Sequence, residues 1–508
     1  MSTVFEFPSV RRDGLTLILG LGETGVAAAR WCARQGAALR VLDTRDAPAG
    51  LVALTDQGIE ADVHLGADGL QPAALDGVVS IVLSPGLNPH QAPVAGFLQL
   101  ARERSIEIIG EIELFARALA DLRNQGYTPG VLAITGTNGK TTVTALVRHL
   151  AQGCGRPARA AGNISPAALH SLMDALQTDD LPALWVLELS SFQLETTHSL
   201  AADAAVVLNI TQDHLDWHGS MQDYAAAKAR LLEMARIRII NRDDARVSAM
   251  VEQPEALNVR SFGAGLPVLS GDLGLQSSHD LSWLAYVPQM DAPAPDNSRR
   301  KGRQPEAAMR APGTPHALMP VDALQIRGRH NALNSLAALA LGDAVGLDWA
   351  GMLHALRQYR GEAHRTEFIQ TIAGVDFIDD SKGTNVGATL AALQGLGRPV
   401  VLIAGGLGKG QDFSPLASAV QAHARAVMLI GQDAAIIAQA LKDSAVPLIF
   451  CDTLPDAVQQ GLSQAQPGDA VLLSPACASM DMFRNYVHRS ACFVEAVREL
   501  AADRGEVA

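Results

Sequence analysis

Long apolar runs, export signals and paired cysteines are missing from this sequence of 508 residues. No stretch reaches the roughly 20 apolar residues of a membrane-spanning helix, and the first residues lack the pattern of a secretory signal. The sequence contains only five cysteines, Cys32, Cys154, Cys451, Cys477 and Cys492. They are scattered and form no C-x-x-C pair, which argues against a disulfide framework or a zinc cluster. We therefore expect a cytoplasmic protein with no membrane insertion.

An excess of basic residues is also missing. The 40 Lys and Arg are outnumbered by 53 Asp and Glu, which gives a formal net charge of −13. This balance argues against nucleic acid as a partner, although local positive groups can still bind a small anionic substrate. Hydrophobic residues make up 48% and charged residues 18%, enough for a large packed core. Because the chain is too long for one such core, we expect two to four domains.

Short apolar runs alternate with helical patterns along the whole chain. The clearest runs are Leu15–Leu19, Val78–Leu83, Val131–Thr135, Leu184–Leu189, Ala205–Ile210, Val400–Ala404, Val427–Ile430 and Ala470–Leu473. They are rich in Val, Ile and Leu and are followed by Gly, Ser or Asn, which predicts the buried parallel strands of an α/β protein. Ligands of such proteins bind where the strands end, so functional residues are expected in the loops that follow these runs.

The strand and helix patterns divide the chain into three segments, residues 1–109, 110–361 and 362–508. The second segment contains a proline-rich stretch, residues 288–320, with a basic cluster at Arg299, Arg300, Lys301 and Arg303. Proline at this density blocks both helices and strand pairing, so we interpret the stretch as a flexible surface insertion. A docking role for the basic cluster is the alternative.

The strongest local motif follows the run Val131–Thr135 and reads Gly-Thr-Asn-Gly-Lys-Thr-Thr, residues 136–142. Its glycines allow backbone N–H groups to approach phosphate oxygens, and the helix that follows adds a favourable dipole. Lys140 can neutralise the charge of β- and γ-phosphates, and Thr141 lies where a hydroxyl would bind Mg²⁺. The motif predicts a nucleotide-phosphate site.

A second glycine motif, Gly20, Gly22 and Gly25, opens the first predicted helix. Asp43 follows at the distance typical of dinucleotide-binding proteins, so an NAD-dependent dehydrogenase is a competing hypothesis. The motif establishes only that a phosphate group can lie at this helix terminus. Two phosphate loops in one chain, one ending in Gly-Lys-Thr, favour a kinase or ligase.

Three ionisable residues of the middle segment are candidates for metal binding or catalysis. Glu188 ends a buried run, where a carboxylate is costly unless it binds a metal, caps a helix or forms a salt bridge. His214 is a metal ligand or a structural histidine. Lys228 lies among alanines and is either functional or an ordinary surface lysine. The residues alone leave these alternatives open.

Four stretches resemble those of a known family. Thr135–Thr142 resembles the phosphate loop of the Mur ligases, which join amino acids to a UDP-muramoyl precursor; folylpolyglutamate synthetases share the scheme. Leu189–Glu195, Asp379–Asn385 and Leu473–Ser479 resemble the members that add D-glutamate. The resemblance covers nearly the whole chain apart from the proline-rich stretch.

Four positions depart from the patterns expected of the family or of a strict phosphate loop. Ile134 stands where a strict loop has its first glycine, and Ser165 replaces a frequent glycine. Leu407 replaces a common acidic residue, and Tyr486 replaces another aromatic residue.

The resemblance implies a Rossmann-like N-terminal domain for the UDP moiety, a P-loop ATPase-like central domain and a Rossmann-like C-terminal domain for D-glutamate. It implies ATP-dependent ligation of D-glutamate to UDP-N-acetylmuramoyl-L-alanine through an acyl phosphate, in peptidoglycan precursor synthesis. The implied cofactors are ATP, two Mg²⁺ ions and a carbamylated Lys228, and the implied enzyme is a monomer. Another amino-acid ligase of this scheme, the dehydrogenase and a non-catalytic nucleotide-binding module are the alternatives.

The resemblance also assigns site residues by motif. The implied catalytic residues are Lys140, His214 and Lys228. The implied ATP contacts are Gly136, Thr137, Asn138, Gly139, Lys140, Thr141, Thr142, Asn331, Arg365 and Asp380. The implied UDP-substrate contacts are Gly22, Thr24, Thr44, Arg45, Ser84, Gly86 and Asn163. The implied D-glutamate contacts are Lys382, Thr384, Lys409, Ser479, Met480 and Tyr486. The implied metal ligands are Thr141, Glu188, His214 and Lys228.

Overall fold

The structure is a computed structural model that describes residues 5–278, 281–289 and 309–506, which form three α/β units in chain order. The strands of the first unit are β1 (Leu15–Leu19), β2 (Ala38–Asp43), β3 (Asp62–Leu65), β4 (Val78–Leu83) and β5 (Glu107–Ile109). Its helices are α1 (Glu23–Arg34), α2 (Gly50–Asp56) and α3 (Val94–Glu103). The strands are parallel in the order β3-β2-β1-β4-β5. The order reverses between β1 and β4, so the loops after these two strands flank one crevice.

The second unit is built on the largest sheet. Its strands are β6 (Gly130–Thr135), β7 (Ala158–Gly162), β8 (Leu184–Glu188), β9 (Ala202–Val207), β10 (Ala235–Asn241), β11 (Val259–Phe262), β12 (Leu273–Ser278), β13 (Leu281–Tyr286) and β14 (His316–Pro320). Its helices are α4 (Glu111–Asn124), α5 (Lys140–Gly153), α6 (Ala168–Gln177), α7 (Ser191–Leu194), α8 (Leu215–His218), α9 (Met221–Glu233), α10 (Ala245–Ser248), α11 (Arg329–Ala344) and α12 (Trp349–Gln358). The order β14-β13-β12-β11-β10-β9-β6-β8-β7 brings the ends of β9, β6 and β8 side by side.

The third unit has a six-stranded sheet in the order β15-β16-β20-β17-β18-β19. Its strands are β15 (Glu367–Ile372), β16 (Val375–Asp379), β17 (Val400–Gly405), β18 (Ala424–Ile430), β19 (Leu448–Phe450) and β20 (Ala470–Leu473). Its helices are α13 (Val386–Gly395), α14 (Leu416–His423), α15 (Ala434–Leu441), α16 (Leu454–Gln464) and α17 (Tyr486–Asp503). Only β15 is antiparallel to its neighbour within the described part of this sheet.

The first and second units share one hydrophobic core. A single cluster of buried side chains extends from Ile18 and Trp31 of the first unit to Phe115 and Trp185 of the second. The rings of Phe115 and Trp185 pack edge to face with 5.2 Å between their centroids. This shared core fixes the loops of the first unit relative to those of the second.

The predicted α/β class is confirmed, and the predicted runs form strands. Leu15–Leu19, Val78–Leu83 and Ala470–Leu473 form strands with the predicted bounds, whereas the run Ala205–Ile210 forms a strand that begins at Ala202 and ends at Val207. The strands β12–β14 and the β15–β16 pair were not among the predicted runs. The proposed segment boundaries near residues 109 and 361 stay a prediction. No helix of the described ranges has both the length and the apolar character needed to cross a membrane.

The prediction that residues 288–320 form a flexible surface insertion without strand pairing is wrong for the C-terminal part of this stretch. Residues 316–320 form β14, which pairs with β13, and Met309 and Pro312 form bridges to Ala256 and Leu269. Proline is tolerated here because β14 is an edge strand and Pro320 is its last residue. Arg310 is buried and bonded to Asp272. The basic cluster at 299–303 lies outside the described residues.

Candidate active site

The phosphate loop lies between β6 and α5 and requires glycine at two positions. Gly136 has φ +151° and Gly139 has φ +86°, which an L side chain rarely adopts. A Cβ on Gly139 would also lie 2.6 Å from the Asn334 side chain. The loop therefore ends in the N-terminus of α5, whose first N–H groups have no partner within the helix and suit an anion.

Lys140 is the first residue of α5, and its ammonium group folds over the loop. Its Nζ donates hydrogen bonds of 2.8 Å to the carbonyl oxygens of Gly136 and Thr137. Burial lowers the pKa of Lys140, an effect that the carboxylates of Glu188 and Asp213 oppose. Bound phosphate would supply the missing counter-charge.

Glu188 ends β8 beside this loop and is 1% exposed. Its Oε1 accepts a 2.8 Å hydrogen bond from the Asn163 side chain, whereas its Oε2 is buried with no hydrogen-bond partner. A buried carboxylate oxygen without a partner is costly unless a ligand such as a cation completes its coordination. The salt-bridge and helix-cap interpretations of Glu188 receive no support from these contacts.

His214 precedes α8 with a left-handed backbone, φ +54°, which is uncommon outside glycine. Its ring contacts Phe192, with 4.8 Å between ring centroids. Burial lowers the pKa of His214, and Asp213 opposes this shift. A neutral imidazole is the form that binds a metal ion.

Lys228 lies on α9 and is 1% exposed, so its interpretation as a surface lysine is wrong. Its Nζ donates hydrogen bonds to Thr135 Oγ1 at 3.2 Å and Gly136 O at 3.0 Å, and lies 4.8 Å from the centre of the Tyr224 ring. Burial, followed by the charge of Lys140, lowers the pKa of Lys228 well below its ordinary value. The amine is therefore biased towards its neutral, nucleophilic form.

The third unit contributes the loop after β16. Lys382 Nζ donates a 3.1 Å hydrogen bond to Thr141 Oγ1, and Asn385 Nδ2 donates to Asn138 Oδ1 at 3.0 Å. Burial lowers the pKa of Lys382 to about 8. Burial raises the pKa of Asp380 to about 7, although Ser474 donates a hydrogen bond to its carboxyl group.

These elements enclose a cavity of about 420 Å³. The predicted residues that line it are Thr137, Asn138, Gly139, Lys140, Thr141, Thr142, Asn163, Glu188, His214, Asn331, Arg365, Asp380, Lys382, Thr384 and Tyr486. Gly136, the first residue of the loop, and Lys228, which donates to the Gly136 carbonyl oxygen, are not part of the cavity wall. Arg365 has a buried Nε with no hydrogen-bond partner.

Three predicted D-glutamate contacts lie outside the cavity wall. Ser479 is buried, Met480 is 65% exposed, and Lys409 has a left-handed backbone with φ +52°. Tyr486 connects this side to the cavity, because Lys382 Nζ lies 5.3 Å from the centre of its ring.

The predicted UDP contacts form a separate group at the crevice of the first unit. Thr24 Oγ1 lies 3.4 Å from Ser84 Oγ, which brings the loops after β1 and β4 together. Arg45 donates hydrogen bonds to Asp43 from Nε at 2.8 Å and from Nη2 at 2.7 Å, and the backbone N–H of Leu21 also donates to Asp43. The acid of the dinucleotide motif is thus already bonded, which weakens the dehydrogenase hypothesis. Gly22 and Gly86 lie in the loops after β1 and β4, and Thr44 lies beside Arg45 in the loop after β2.

Sequence reasoning missed several cavity residues, above all Asn209, Asp213 and Asn385. Asn209 Oδ1 accepts from the Asn138 backbone N–H at 2.8 Å, and Asn385 donates to Asp213 at 3.2 Å. The position of Asn209 near the end of the apolar run Ala205–Ile210, where ligands of such folds bind, was the available signal. The pairing of Asn385 with residues of another unit has no signal in the sequence.

Models of three family domains match the chain. The Mur ligase MurD-like N-terminal domain matches residues 15–110, the Mur ligase middle domain matches 134–280, and the Mur ligase glutamate ligase domain matches 364–477. Together these matches extend over all three units.

Curated relatives match over almost their whole length. The UDP-N-acetylmuramoylalanine–D-glutamate ligase of Bordetella bronchiseptica is 61% identical, with 97% of this chain and 98% of the relative covered. The enzyme of that name from Ralstonia nicotianae is 56% identical, with 96% and 97% covered.

Solved structures of low sequence identity share the fold. The UDP-N-acetylmuramate-alanine ligase of Thermotoga maritima has a TM-score of 0.55 at 19% identity, covering 96% of this chain and 99% of its own. The MurF ligase of Thermotoga maritima in complex with ADP has a TM-score of 0.55 at 16% identity, covering 99% and 98%. These similarities confirm the three-unit α/β fold.

Proposed function

The chain belongs to the Mur ligase family, and we propose that it is the ATP-dependent ligase that adds D-glutamate to UDP-N-acetylmuramoyl-L-alanine. The products are the amide, ADP and phosphate, and the reaction belongs to peptidoglycan precursor synthesis. The observation that carries the proposal is that two motifs of the family, Thr135–Thr142 of the second unit and Asp379–Asn385 of the third, line one cavity. Lys382 of the third unit lies 3.1 Å from Thr141 of the phosphate loop.

ATP is proposed to bind with its phosphates on the loop Gly136–Thr142. The unpaired N–H groups of α5 and the ammonium of Lys140 support this assignment, because both attract a polyphosphate. Asn331, Arg365 and Asp380 are proposed to contact the nucleotide. The pKa of Asp380, raised to about 7, supports its role, because a partly neutral carboxyl repels an anionic ligand less.

Mg²⁺ is proposed to bind Thr141, Glu188, His214 and carbamylated Lys228, with two ions in the complete site. The buried Glu188 Oε2, which has no hydrogen-bond partner, supports the fit of a cation to this group. When bound, the cations would screen the negative charge of the phosphoryl group in transfer.

Carbamylation of Lys228 is proposed as a reaction with dissolved CO₂. The neutral amine nitrogen forms a bond to the carbon of CO₂, one N–H proton leaves to water, and an anionic carbamate results. The lowered pKa of Lys228 supports this step, because only the neutral amine reacts. The modification would also place an anionic oxygen ligand for Mg²⁺ near Lys140.

The UDP moiety is proposed to bind Gly22, Thr24, Thr44, Arg45, Ser84 and Gly86, with Asn163 closer to the reacting end. The start of α1 supports a diphosphate site. The 58% exposed Arg45 side chain can bind an anion on the face turned away from Asp43.

D-Glutamate is proposed to bind Lys382, Thr384, Lys409, Ser479, Met480 and Tyr486. Two lysines in this group support the assignment, since the amino acid has two carboxylates to neutralise. Lys382, on the cavity wall, belongs nearest the α-carboxylate and the reacting amine.

The proposed reaction has two bond exchanges. The carboxylate oxygen of the alanyl terminus attacks the γ-phosphorus of ATP, the bond to the β-phosphate oxygen breaks, and ADP leaves. Lys140 holds a positive charge at the transferring group, the usual contribution of a protein to this step. The amine nitrogen of D-glutamate, after losing its extra proton, attacks the carbonyl carbon, and phosphate leaves.

The test is a panel of amino acids with ATP and UDP-N-acetylmuramoyl-L-alanine, read by mass spectrometry of the product. D-Glutamate should be joined at least about 100-fold faster than L-glutamate, L-alanine or meso-diaminopimelate, and Lys140→Ala should abolish product. Preference for another amino acid would assign the chain to a different Mur ligase.

We also propose that the protein acts as a cytoplasmic monomer with domains at residues 1–109, 110–361 and 362–508. Unpaired cysteines support the reducing compartment. Enclosure of the cavity by a single chain supports the monomer.

A further inference from the structure

Two amide side chains connect the first unit to α8 of the second. Asn88 and Gln91 belong to the loop Ser84–Gln91, which we call the β4 loop. Asn88 Nδ2 donates a 3.0 Å hydrogen bond to the carbonyl oxygen of Trp217. Gln91 Nε2 donates a 2.7 Å hydrogen bond to the carbonyl oxygen of Asp216.

These two hydrogen bonds satisfy helix carbonyls that would otherwise lack partners. The last carbonyl oxygens of a helix accept no hydrogen bond from N–H groups of the same helix. Helix α8 has only four residues, and Gly219 ends it with φ +81°. Asn88 is already oriented for the contact, because its Oδ1 accepts the backbone N–H of His90 at 2.9 Å. The β4 loop therefore caps the C-terminal end of α8.

The opposite end of α8 carries His214. The backbone carbonyl of His214 accepts hydrogen bonds from the N–H groups of Trp217 at 3.1 Å and His218 at 3.0 Å. A helix of four residues is only about 6 Å long, so a shift at its C-terminal end is transmitted to His214. The left-handed conformation of His214 costs free energy and persists only while its surroundings hold it.

The β4 loop begins at the crevice of the first unit. Ser84 packs against the glycine motif, since a Cβ on Gly20 would lie 2.7 Å from Ser84 Cβ. Ser84 Oγ also lies 3.4 Å from Thr24 Oγ1 at the start of α1. A ligand bound at the start of α1 would therefore contact the β4 loop at Ser84. The other end of the same loop holds α8 through Asn88 and Gln91.

We propose that Asn88 and Gln91 are positioning residues that couple UDP-substrate binding in the first unit to divalent-cation binding at His214 and Glu188. This inference rests on the proposed function. The UDP-substrate orders the β4 loop, the two amides hold α8, and α8 sets the place of the His214 imidazole. Because coupling of two binding sites is reciprocal, each ligand then tightens the other by the same factor.

The test measures this factor with Mn²⁺ as the probe cation. The dissociation constant of Mn²⁺ is measured by electron paramagnetic resonance without and with saturating UDP-N-acetylmuramoyl-L-alanine. Binding of Mn²⁺ to the free diphosphate, measured without protein, is subtracted. The variants are Asn88→Ala/Gln91→Ala and Asn88→Asp, which keeps the acceptor for His90 and loses the donor for Trp217. Gln99→Ala is the control, because this exposed amide donates to Glu103 of the same helix.

In wild type and Gln99→Ala, saturating UDP-substrate should lower the dissociation constant of Mn²⁺ by about fivefold or more. Saturating Mn²⁺ should lower the dissociation constant of the UDP-substrate by the same factor. The double variant should bind each ligand alone within about threefold of wild type, yet show a coupling factor below about twofold. Asn88→Asp should fall between them. This inference is overturned if wild type binds both ligands without coupling, or if the double variant keeps the coupling factor of wild type. Neither result would affect the proposed function. Wild type that binds neither ligand overturns the proposed function and this inference with it.

Discussion

Lys382 and Thr141 are 241 positions apart in the chain, yet Lys382 Nζ donates a 3.1 Å hydrogen bond to Thr141 Oγ1. The contact brings a cation of the third unit to the phosphate loop of the second. Lys140 and Lys382 therefore already lie at the phosphate loop before ATP binds. ATP does not have to draw these two positive side chains to the loop. The two units therefore form one site rather than two neighbouring ones.

Lys382→Ala should lower kcat for D-glutamate ligation by about 100-fold, because the charge proposed to hold the α-carboxylate and place the reacting amine of D-glutamate is lost. Lys382→Arg should restore part of the rate, since the positive charge remains. Phosphate release from ATP is the measurement. Lys442→Ala, at an exposed lysine of the same unit, is the control and should match wild type. Equal rates for Lys382→Ala and wild type would remove Lys382 from the site.

Lys228→Ala should lose ligation activity that bicarbonate or short carboxylic acids partly restore. The reason is that a small carboxylate can occupy the space beside Tyr224 and Gly136 and replace the oxygen ligand that the proposed carbamate would supply. Rates are compared with and without each added acid, and Lys140→Ala serves as the variant that no acid should rescue. Full activity of Lys228→Ala without any added acid would contradict the proposed carbamylation of Lys228.

Glu111→Gln should change how stability depends on pH. Burial, with Glu23 adding to it, raises the pKa of Glu111 from 4.5 to about 7 in the folded protein. The folded state therefore binds more protons than the unfolded state between these values, so this carboxyl makes stability fall as pH rises from 4.5 to 7. The change amounts to about 3 kcal/mol at 1.36 kcal/mol per pKa unit.

The measurement is urea unfolding of wild type and Glu111→Gln at intervals from pH 4.5 to 8. The variant should gain stability relative to wild type across this range and then stay level above pH 7. Glu60→Gln, at an exposed glutamate of the first unit, should show no such trend. Parallel curves for wild type and Glu111→Gln would mean that Glu111 titrates normally.

Arg310→Ala should destabilise the second unit by about 3 kcal/mol, because it leaves Asp272 buried without its partner. Arg310 also donates to the carbonyl oxygens of Ser270 and Pro254, so the variant loses three contacts at once. Arg310→Ala/Asp272→Ala should recover part of the loss. Thermal unfolding measures both, and an unchanged midpoint for Arg310→Ala would show that the buried pair is dispensable.

The sequence was most informative where a local pattern determines structure. The glycine loop from Gly136 to Lys140 and the apolar run before it predicted a strand, a turn and a helix, because each depends on neighbouring residues. The burial of Lys228 could not be predicted in this way. Its alanine neighbours are typical of any helix, and its burial comes from the packing of α9 against β9, β10 and β6 of the second unit.

The contacts between units were the least predictable part of the site. The hydrogen bonds of Lys382 with Thr141 and of Asn88 with Trp217 join residues whose separation in the chain leaves no periodic pattern. The ordered strand β14 was hidden for a different reason. Its prolines suggested a chain without strand pairing. An edge strand, however, pairs on one side only, so some of its N–H groups are not needed for the sheet's hydrogen bonds.

The central claim is that one cavity activates a carboxylate with ATP and then delivers D-glutamate to it. The most direct test is phosphate release from ATP in the presence of Mg²⁺ and UDP-N-acetylmuramoyl-L-alanine, with and without D-glutamate. The account predicts steady phosphate release only with all substrates present, in equal amount to the amide formed. Phosphate release that is indifferent to D-glutamate, or amide formation without ATP consumption, would contradict it.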